Sequence, residues 1–336
     1  MKRERKNIKL GTGGFIKTLI KKFSLLICII FVSIMFTGCL NSESKSENGV
    51  STDNRKLVKI GYLPITHAIP LYVEKEKEKA NIELVKFGSW PELMEALNSG
   101  KIDGASVLVE LAMKAKSQGI DLKAVALGHT DGNAVIVAND IDSASDLKGK
   151  TFAIPNKLST HNILLYQLLK SENMSYNDIN IVELSPAEMP VALQEKRIDG
   201  YCVAEPFGAK SVAVNNGKVL KQSDEIIPNS ICCSLVLRGD FINSERDKAK
   251  EVVENYKKAS EYISSHEEDT QNLSKSFLNV SGDALNLSLK WIKFDKLKIE
   301  KKDYDTLNSY LVEMNLLDKQ VSYEDFVDNS LLEEVE

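Results

Sequence analysis

The chain has 336 residues, a formal net charge of −5 and five cysteines. That length allows two or three domains with a sizeable core. The mildly acidic balance, with no basic stripe and no interleaved aromatics, argues against a nucleic-acid partner. Beyond residue 39 the cysteines are Cys202, Cys232 and Cys233. Their odd number and lack of C-x-x-C spacing exclude a disulfide framework and a zinc signature. In their apolar contexts they read as small buried hydrophobes.

The N-terminus opens with a basic stretch from Lys2 to Lys22, followed by an apolar run over residues 23–36 that is short for a membrane span. Phe36-Thr37-Gly38-Cys39 follows, and small residues just before a Cys resemble the lipobox of bacterial lipoproteins, in which the Cys is lipidated. The expectation is a signal peptide over 1–38 and lipidation at Cys39. Residues 39–55, rich in Ser, Asn, Glu and Lys, form a flexible tether. The folded part is then expected outside the cytoplasmic membrane, held to it by lipid.

From residue 56 the pattern alternates. Residues 56–62 read as a strand, 71–79 as a helix with the run from Glu74 to Lys79 on its solvated face, and 82–87 as a second strand. A helix opens at Gly88-Ser89-Trp90, and its strand follows at 105–109. Residues 111–118 are helical, while 122–127 and 134–137 are strands around a turn at Asp131-Gly132-Asn133. Residues 151–154 form a strand, and a helix capped by Ser159 reaches about Glu172. Strands at 179–184 and 201–204 are followed by a helix over 208–216, a strand at 218–220 and a β-prone run over 231–237. From Glu245 the pattern is helical to the end, most simply a cover over one lobe.

One unit occurs twice. Residues 89–104 and 185–200 align without a gap and share Ser, Glu, Ala-Leu and Ile-Asp-Gly. Ser89 with Glu92, and Ser185 with Glu188, have capping-box spacing. In each copy Ile-Asp-Gly turns the chain into a strand, with Gly supplying backbone freedom. Pro190 requires the second helix to start a residue or two late. The repeat points to two similar α/β lobes, and the alternation implies parallel sheets with helices on both faces. Such sheets bind ligands beyond the carboxyl ends of their strands. That rule selects the loops at 63–70, 88–90, 108–110, 129–133, 155–161 and 204–207.

Gly61-Tyr62-Leu63-Pro64, Ser89-Trp90 and Asp146-Leu147-Lys148-Gly149-Lys150 before Thr151-Phe152-Ala153-Ile154-Pro155 resemble the solute-binding receptors of ABC importers for nitrate, sulfonate, taurine and bicarbonate. That family also includes thiamine-precursor receptors. Ser159-Thr160-His161-Asn162-Ile163-Leu164-Leu165 and the run from Asp199 to Phe207 look most like its nitrate and bicarbonate branch. The resemblance runs from about residue 56 to 334. It implies an α/β fold, a two-lobed, periplasmic-binding-protein-like (type II) clamshell in which each lobe is a mostly parallel sheet with helices on both faces. The crossings are expected near 137–142 and 232–240, giving lobe 1 as 56–139 with 233–336 and lobe 2 as 140–232. The implied function is capture of a small anionic solute, such as nitrate, bicarbonate or a sulfonate, without enzymatic activity or cofactor. The implied partners are a membrane permease and a cytoplasmic ATPase. The chain has no G-x-x-x-x-G-K-[ST] loop, so the ATPase is another polypeptide. Alternatives are a solute-sensing lipoprotein and a pyrimidine-synthase-like enzyme of the same superfamily.

The loop rule and the resemblance together select Thr66, His67, Trp90, Asn133, Ser159, Thr160, His161 and Glu205 as ligand-binding residues, with no catalytic residue and no metal ligand. Trp90 is expected to pack on the ligand, and His161 to donate to it from a helix start. Glu205 either binds the ligand or bridges the lobes. Cys232 and Cys233 read as strand residues near the hinge, and His129 as unremarkable. The chain departs from the family where a Glu-Lys pair precedes the returning strand. Asn229-Ser230-Ile231-Cys232-Cys233-Ser234 stands there, which removes a cationic partner for an anion.

Overall fold

The apolar runs become twelve short strands among the residues described by the structure, a computed structural model covering residues 57–335 except 281. The signal segment, Cys39 and the tether lie outside the described residues. In chain order the strands are β1 Val58–Tyr62, β2 Ile82–Lys86, β3 Gly104–Leu108, β4 Leu122–Leu127, β5 Thr130–Asp131 and β6 Asn133–Val137. There follow β7 Thr151–Ile154, β8 Asn180–Glu183, β9 Gly200–Ala204, β10 Lys218–Gln222, β11 Cys233–Arg238 and β12 Ile292–Lys293. Among the described residues no helix is long and apolar enough to cross a membrane.

Two five-stranded sheets result, in the orders β2-β1-β3-β11-β4 and β10-β6-β9-β7-β8. Strand–helix–strand connections make β1–β2, β1–β3, β7–β8 and β7–β9 parallel. The strands that enter a sheet from the other one run the opposite way. β11 is antiparallel to β3 and β4, and β6 is antiparallel to β9 and β10. The first crossing falls earlier than 137–142. β6 pairs with β9 over its whole length, so the chain has passed to the second sheet by Asn133. The second crossing ends at β11.

The repeat has a structural counterpart in each sheet. Helices Trp90–Asn98 and Met189–Gln194 lead into β3 and β9, and Pro190 sits in the first turn of a late-starting helix. Asp103 and Asp199 play one role: Asp103 Oδ2 accepts from the Lys59 amide and Asp199 Oδ2 from the Thr151 amide, each at 2.8 Å. Each aspartate thus ties the turn before its strand to the start of the neighbouring strand. The repeated glycine serves close approach rather than an unusual backbone angle. A Cβ on Gly104 would meet the Val236 carbonyl at 2.8 Å, and one on Gly200 the Ile136 carbonyl at 2.9 Å.

Three local expectations change. Ser89 makes no side-chain cap, and Glu92 accepts from the Gly88 amide instead. In the second copy the Glu188 carboxylate accepts from the Ser185 amide and hydroxyl, one turn ahead of the helix. Glu74 is fully buried rather than solvated: helix Ile69–Glu76 packs beside β2 and under helix Arg246–Ser265.

The C-terminal helices do more than cover one lobe. Arg246–Ser265 packs on Ile69–Glu76 beside the first sheet, but Gly282–Lys290 packs on Phe207–Ala213 beside the second. Glu313 of helix Lys301–Glu313 accepts from Lys170 at 2.6 Å and from the Tyr166 hydroxyl at 3.1 Å, on the helix that follows β7.

Candidate functional site

The loops at the carboxyl ends of β1, β3, β4, β7 and β9 meet where the two sheets face one another. The loop after β1 is held in place by the second sheet: the Glu205 carbonyl accepts both the Thr66 amide at 2.8 Å and the Thr66 hydroxyl at 3.0 Å. That contact sets the next residue, His67, deep in the junction and fully buried.

Four side chains converge there. His67, His129, Cys232 and Cys233 are all buried, and one nitrogen or sulfur of each lies within 4.8 Å of the others. His67 Nδ1 is 3.3 Å from Cys233 Sγ and 3.8 Å from Cys232 Sγ, and the two sulfurs are 3.9 Å apart. The imidazoles of His67 and His129 overlap, with centroids 3.6 Å apart. The outer nitrogen of each ring is engaged by backbone. His67 Nε2 donates to the Gly132 carbonyl at 3.0 Å, and His129 Nδ1 to the Asp131 carbonyl at 2.9 Å. These bonds fix the tautomers and aim His67 Nδ1 and His129 Nε2 inward. His129 Nε2 has no hydrogen-bond partner.

The second sheet contributes Thr160 and His161, the first two residues of helix Thr160–Ser171. Thr160 Oγ1 lies 2.5 Å from Glu110 Oε1 and 2.9 Å from the Ile231 carbonyl. Both ring nitrogens of His161 are buried and unpartnered. So are Glu110 Oε2, the Asn133 amide nitrogen and the indole nitrogen of Trp90, at the carboxyl end of β2. Ser159 caps its helix. It accepts from the Asn162 amide and donates to the Asn156 carbonyl at 2.6 Å. The Glu205 carboxylate accepts from the Ala209 amide at 2.9 Å and from Ser288, on a C-terminal helix, at 3.1 Å.

Burial governs the ionisation of the site. It holds the His161 imidazole down at about 4, with Cys232 opposing and His67 and His129 adding to the effect. His129 is lowered too, by burial and then by His67. Burial lifts Glu110 to about 8, and Cys232 adds to the shift. Glu205 also rises to about 8 through burial, against its bonds from Ala209 and Ser288. In the cysteine pair, burial alone would raise both thiols. The Cys233 thiol and His67 nevertheless bring Cys232 well below its ordinary value, while burial and the neighbouring Cys232 raise Cys233. Among the described residues, the buried side chains include Glu74, Glu110 and Glu205 but no Lys or Arg.

The structure thus brings together Thr66, His67, Asn133, Thr160, His161 and Glu205 from the sequence reading. It adds His129, Glu110, Cys232 and Cys233. Glu110 and His129 lay at the ends of loops the strand-end rule had selected, so that rule could have found them. Cys232 and Cys233 carried no usable spacing, because their partners are more than a hundred residues away in the chain.

Comparison with known proteins agrees with this architecture. The NMT1-like family profile matches residues 51–276. The chain belongs to the NMT1-like family. A solved relative, the ligand-binding component of an ABC-type import system from Staphylococcus aureus with zinc bound, is 40% identical. It superposes with a TM-score of 0.79 over 84% of this chain and 99% of its own. The nitrate import ATP-binding protein NrtC of Synechocystis is 28% identical over 60% of this chain and 34% of its own length. The taurine-binding periplasmic protein of Escherichia coli is 31% identical over 44% of this chain and 46% of its own. The chain therefore spans less than half the length of these last two relatives. The fold is that of the periplasmic binding proteins, two α/β lobes built on separate sheets.

Proposed function

We propose that this chain is the extracytoplasmic solute-binding component of an ABC importer, anchored by lipid at Cys39 after removal of residues 1–38. It delivers its ligand to a membrane permease driven by a separate ATPase. The observation that carries this reading is the set of buried, unpartnered polar atoms where the two sheets meet: both nitrogens of His161, His129 Nε2, Glu110 Oε2, the Asn133 amide and the Trp90 indole. Each such atom left without a partner costs about 1–3 kcal/mol. A ligand that satisfies several of them gains affinity while closing one lobe on the other.

The protein acts as a receptor rather than an enzyme. The names of its relatives set the ligands to be considered: nitrate and taurine on one side, zinc on the other. The small anion expected from the sequence would enter a site whose buried titratable groups are imidazoles, thiols and carboxyls, without a fixed cation.

Thermal unfolding of the purified chain against nitrate, bicarbonate, taurine, alkanesulfonates, thiamine precursors and zinc tests the reading. One ligand at about a hundred times its Kd should stabilise by about 2.7 kcal/mol. No shift with any of them would count heavily against a receptor. Trp90→Ala should weaken the effective ligand, and Cys39→Ala should release the protein from the membrane fraction.

A further inference from the structure

We infer that the ligand captured at this junction is a thiophilic divalent metal ion of the zinc class, coordinated by His67 Nδ1, His129 Nε2, Cys232 Sγ and Cys233 Sγ. The inference rests on the receptor reading and names the substrate class for the same site.

Geometry is the first support. In a four-coordinate site with bonds of about 2.3 Å to sulfur and about 2.0 Å to nitrogen, tetrahedral edges are about 3.8 Å between sulfurs and about 3.5 Å between sulfur and nitrogen. The separations here are 3.9 Å between the sulfurs, with 3.3 Å and 3.8 Å from His67 Nδ1 to Cys233 and Cys232. These three donors stand at the spacing such an ion requires, and the ligand atom of His129 lies within 4.8 Å of each of them.

Orientation is the second. A ligating histidine characteristically donates its other ring N–H to a carbonyl or carboxylate, which fixes the tautomer and makes the inner nitrogen a better donor. His67 does so to Gly132 and His129 to Asp131. His129 Nε2 is left buried and unpartnered, aimed into the cluster. A histidine present only for packing has no need of this arrangement.

Charge is the third. Binding leaves both cysteines as metal-bound thiolates, and any proton a sulfur still carries passes to solvent as its metal–sulfur bond forms. Two thiolates then neutralise the divalent ion, so the complex is uncharged and suits a site fully removed from water. A bare anion in the same place would be a buried charge without a counter-ion, which is costly. The donor set also selects the ion. Two sulfurs and two imidazoles suit zinc, whereas magnesium and calcium require oxygen ligands.

Location explains how such an ion would matter to a receptor. His67 lies on the loop after β1, His129 on the first crossing between the sheets, and Cys232 and Cys233 at the end of the second. An ion bound to all four ties both crossings to the first sheet. His161 stands on the helix that follows β7 in the second sheet, with both ring nitrogens buried and unpartnered.

Cobalt(II) titration of the full chain, purified in detergent under anaerobic reducing conditions, provides the test. The expected result is one cobalt per chain, the intense thiolate-to-cobalt charge-transfer band and the visible bands of four-coordinate cobalt, all abolished by equimolar zinc. Cys232→Ser, Cys233→Ser and His129→Gln should each weaken binding at least tenfold, with circular dichroism confirming that each variant is folded. Absence of the charge-transfer band in the wild-type chain overturns the inference without reference to any variant. So do a band intensity and a cobalt affinity that stay at the wild-type values in both cysteine variants. The receptor reading fails separately. If an anion stabilises the chain and cobalt does not bind, the metal assignment falls and the receptor stands. If cobalt binds as described but cells lacking the protein accumulate zinc at the wild-type rate, the site stands and the import role falls.

Discussion

Thr160 and Glu110 meet across the junction, with Thr160 Oγ1 2.5 Å from Glu110 Oε1. One opens the helix after β7 in the second sheet; the other lies in the first turn of the helix after β3 in the first sheet. The Thr160 hydroxyl has a single proton and two acceptors in reach, Glu110 and the Ile231 carbonyl. A Glu110 carboxyl raised to about 8 is mostly protonated at neutral pH and supplies the second proton itself. Thr160→Val keeps the shape and removes the hydroxyl, leaving Glu110 buried without a partner on either oxygen. Denaturant unfolding should show a loss of about 1–3 kcal/mol.

Glu205 predicts a pH dependence. Its folded-state value of about 8 lies above the ordinary carboxyl value, so the folded chain holds a proton that the unfolded chain has released. Its contribution to stability is full below the ordinary carboxyl value, declines as pH rises toward 8, and is lost above it. Within that window the slope for one such group is about 1.4 kcal/mol per pH unit. Glu205→Gln keeps acceptor and donor atoms but cannot titrate. Unfolding measured from pH 5 to 9 should therefore show a shallower decline for the variant than for the parent chain.

Gly132 is held at φ +77°, and a Cβ there would meet the Ile292 side chain at 2.8 Å. Its carbonyl also accepts from His67 Nε2. Gly132→Ala should destabilise the chain by about 1 kcal/mol or more. It should also weaken cobalt binding by shifting the carbonyl that orients His67. Both readouts moving together is the expected result. A loss of stability with unchanged metal affinity would show that the His67 tautomer does not depend on this bond.

Asp103 and Asp199 give a paired prediction. Each accepts one strand amide at 2.8 Å in its own sheet, and the two share no partner. Replacing either with Ala should cost about 1–2 kcal/mol by urea denaturation. The double variant should cost the sum to within about 0.5 kcal/mol. A clearly larger combined loss would mean that the two sheets unfold as a coupled pair.

Much of the fold was legible in the sequence because apolar period and turn residues are local signals. β4 and β7 were placed to the residue, and Ser159 was correctly read as a cap. The errors share one cause. The edge between the lobes was misplaced because β6 resembles any buried strand, and only its pairing with β9 assigns it to the second sheet. Glu74 reads as a surface charge until the C-terminal helix is laid over it. The site behaves in the same way. His67 and His161 were visible as polar residues in strand-end loops. His129, Cys232 and Cys233 gain meaning only when segments from four parts of the chain converge.

The placement of β11 bears on how the chain is made. β4 has β11 as its partner in the first sheet, and β11 also separates it from β3. All five strands of the second sheet, Asn133 to Gln222, precede β11 in the chain. A polypeptide emerging N-terminus first can therefore complete its second sheet while the first still has two unpaired strand borders at β3 and β4. For that interval these borders are open templates for another chain. Arrival of the segment that begins with Cys233 closes both at once.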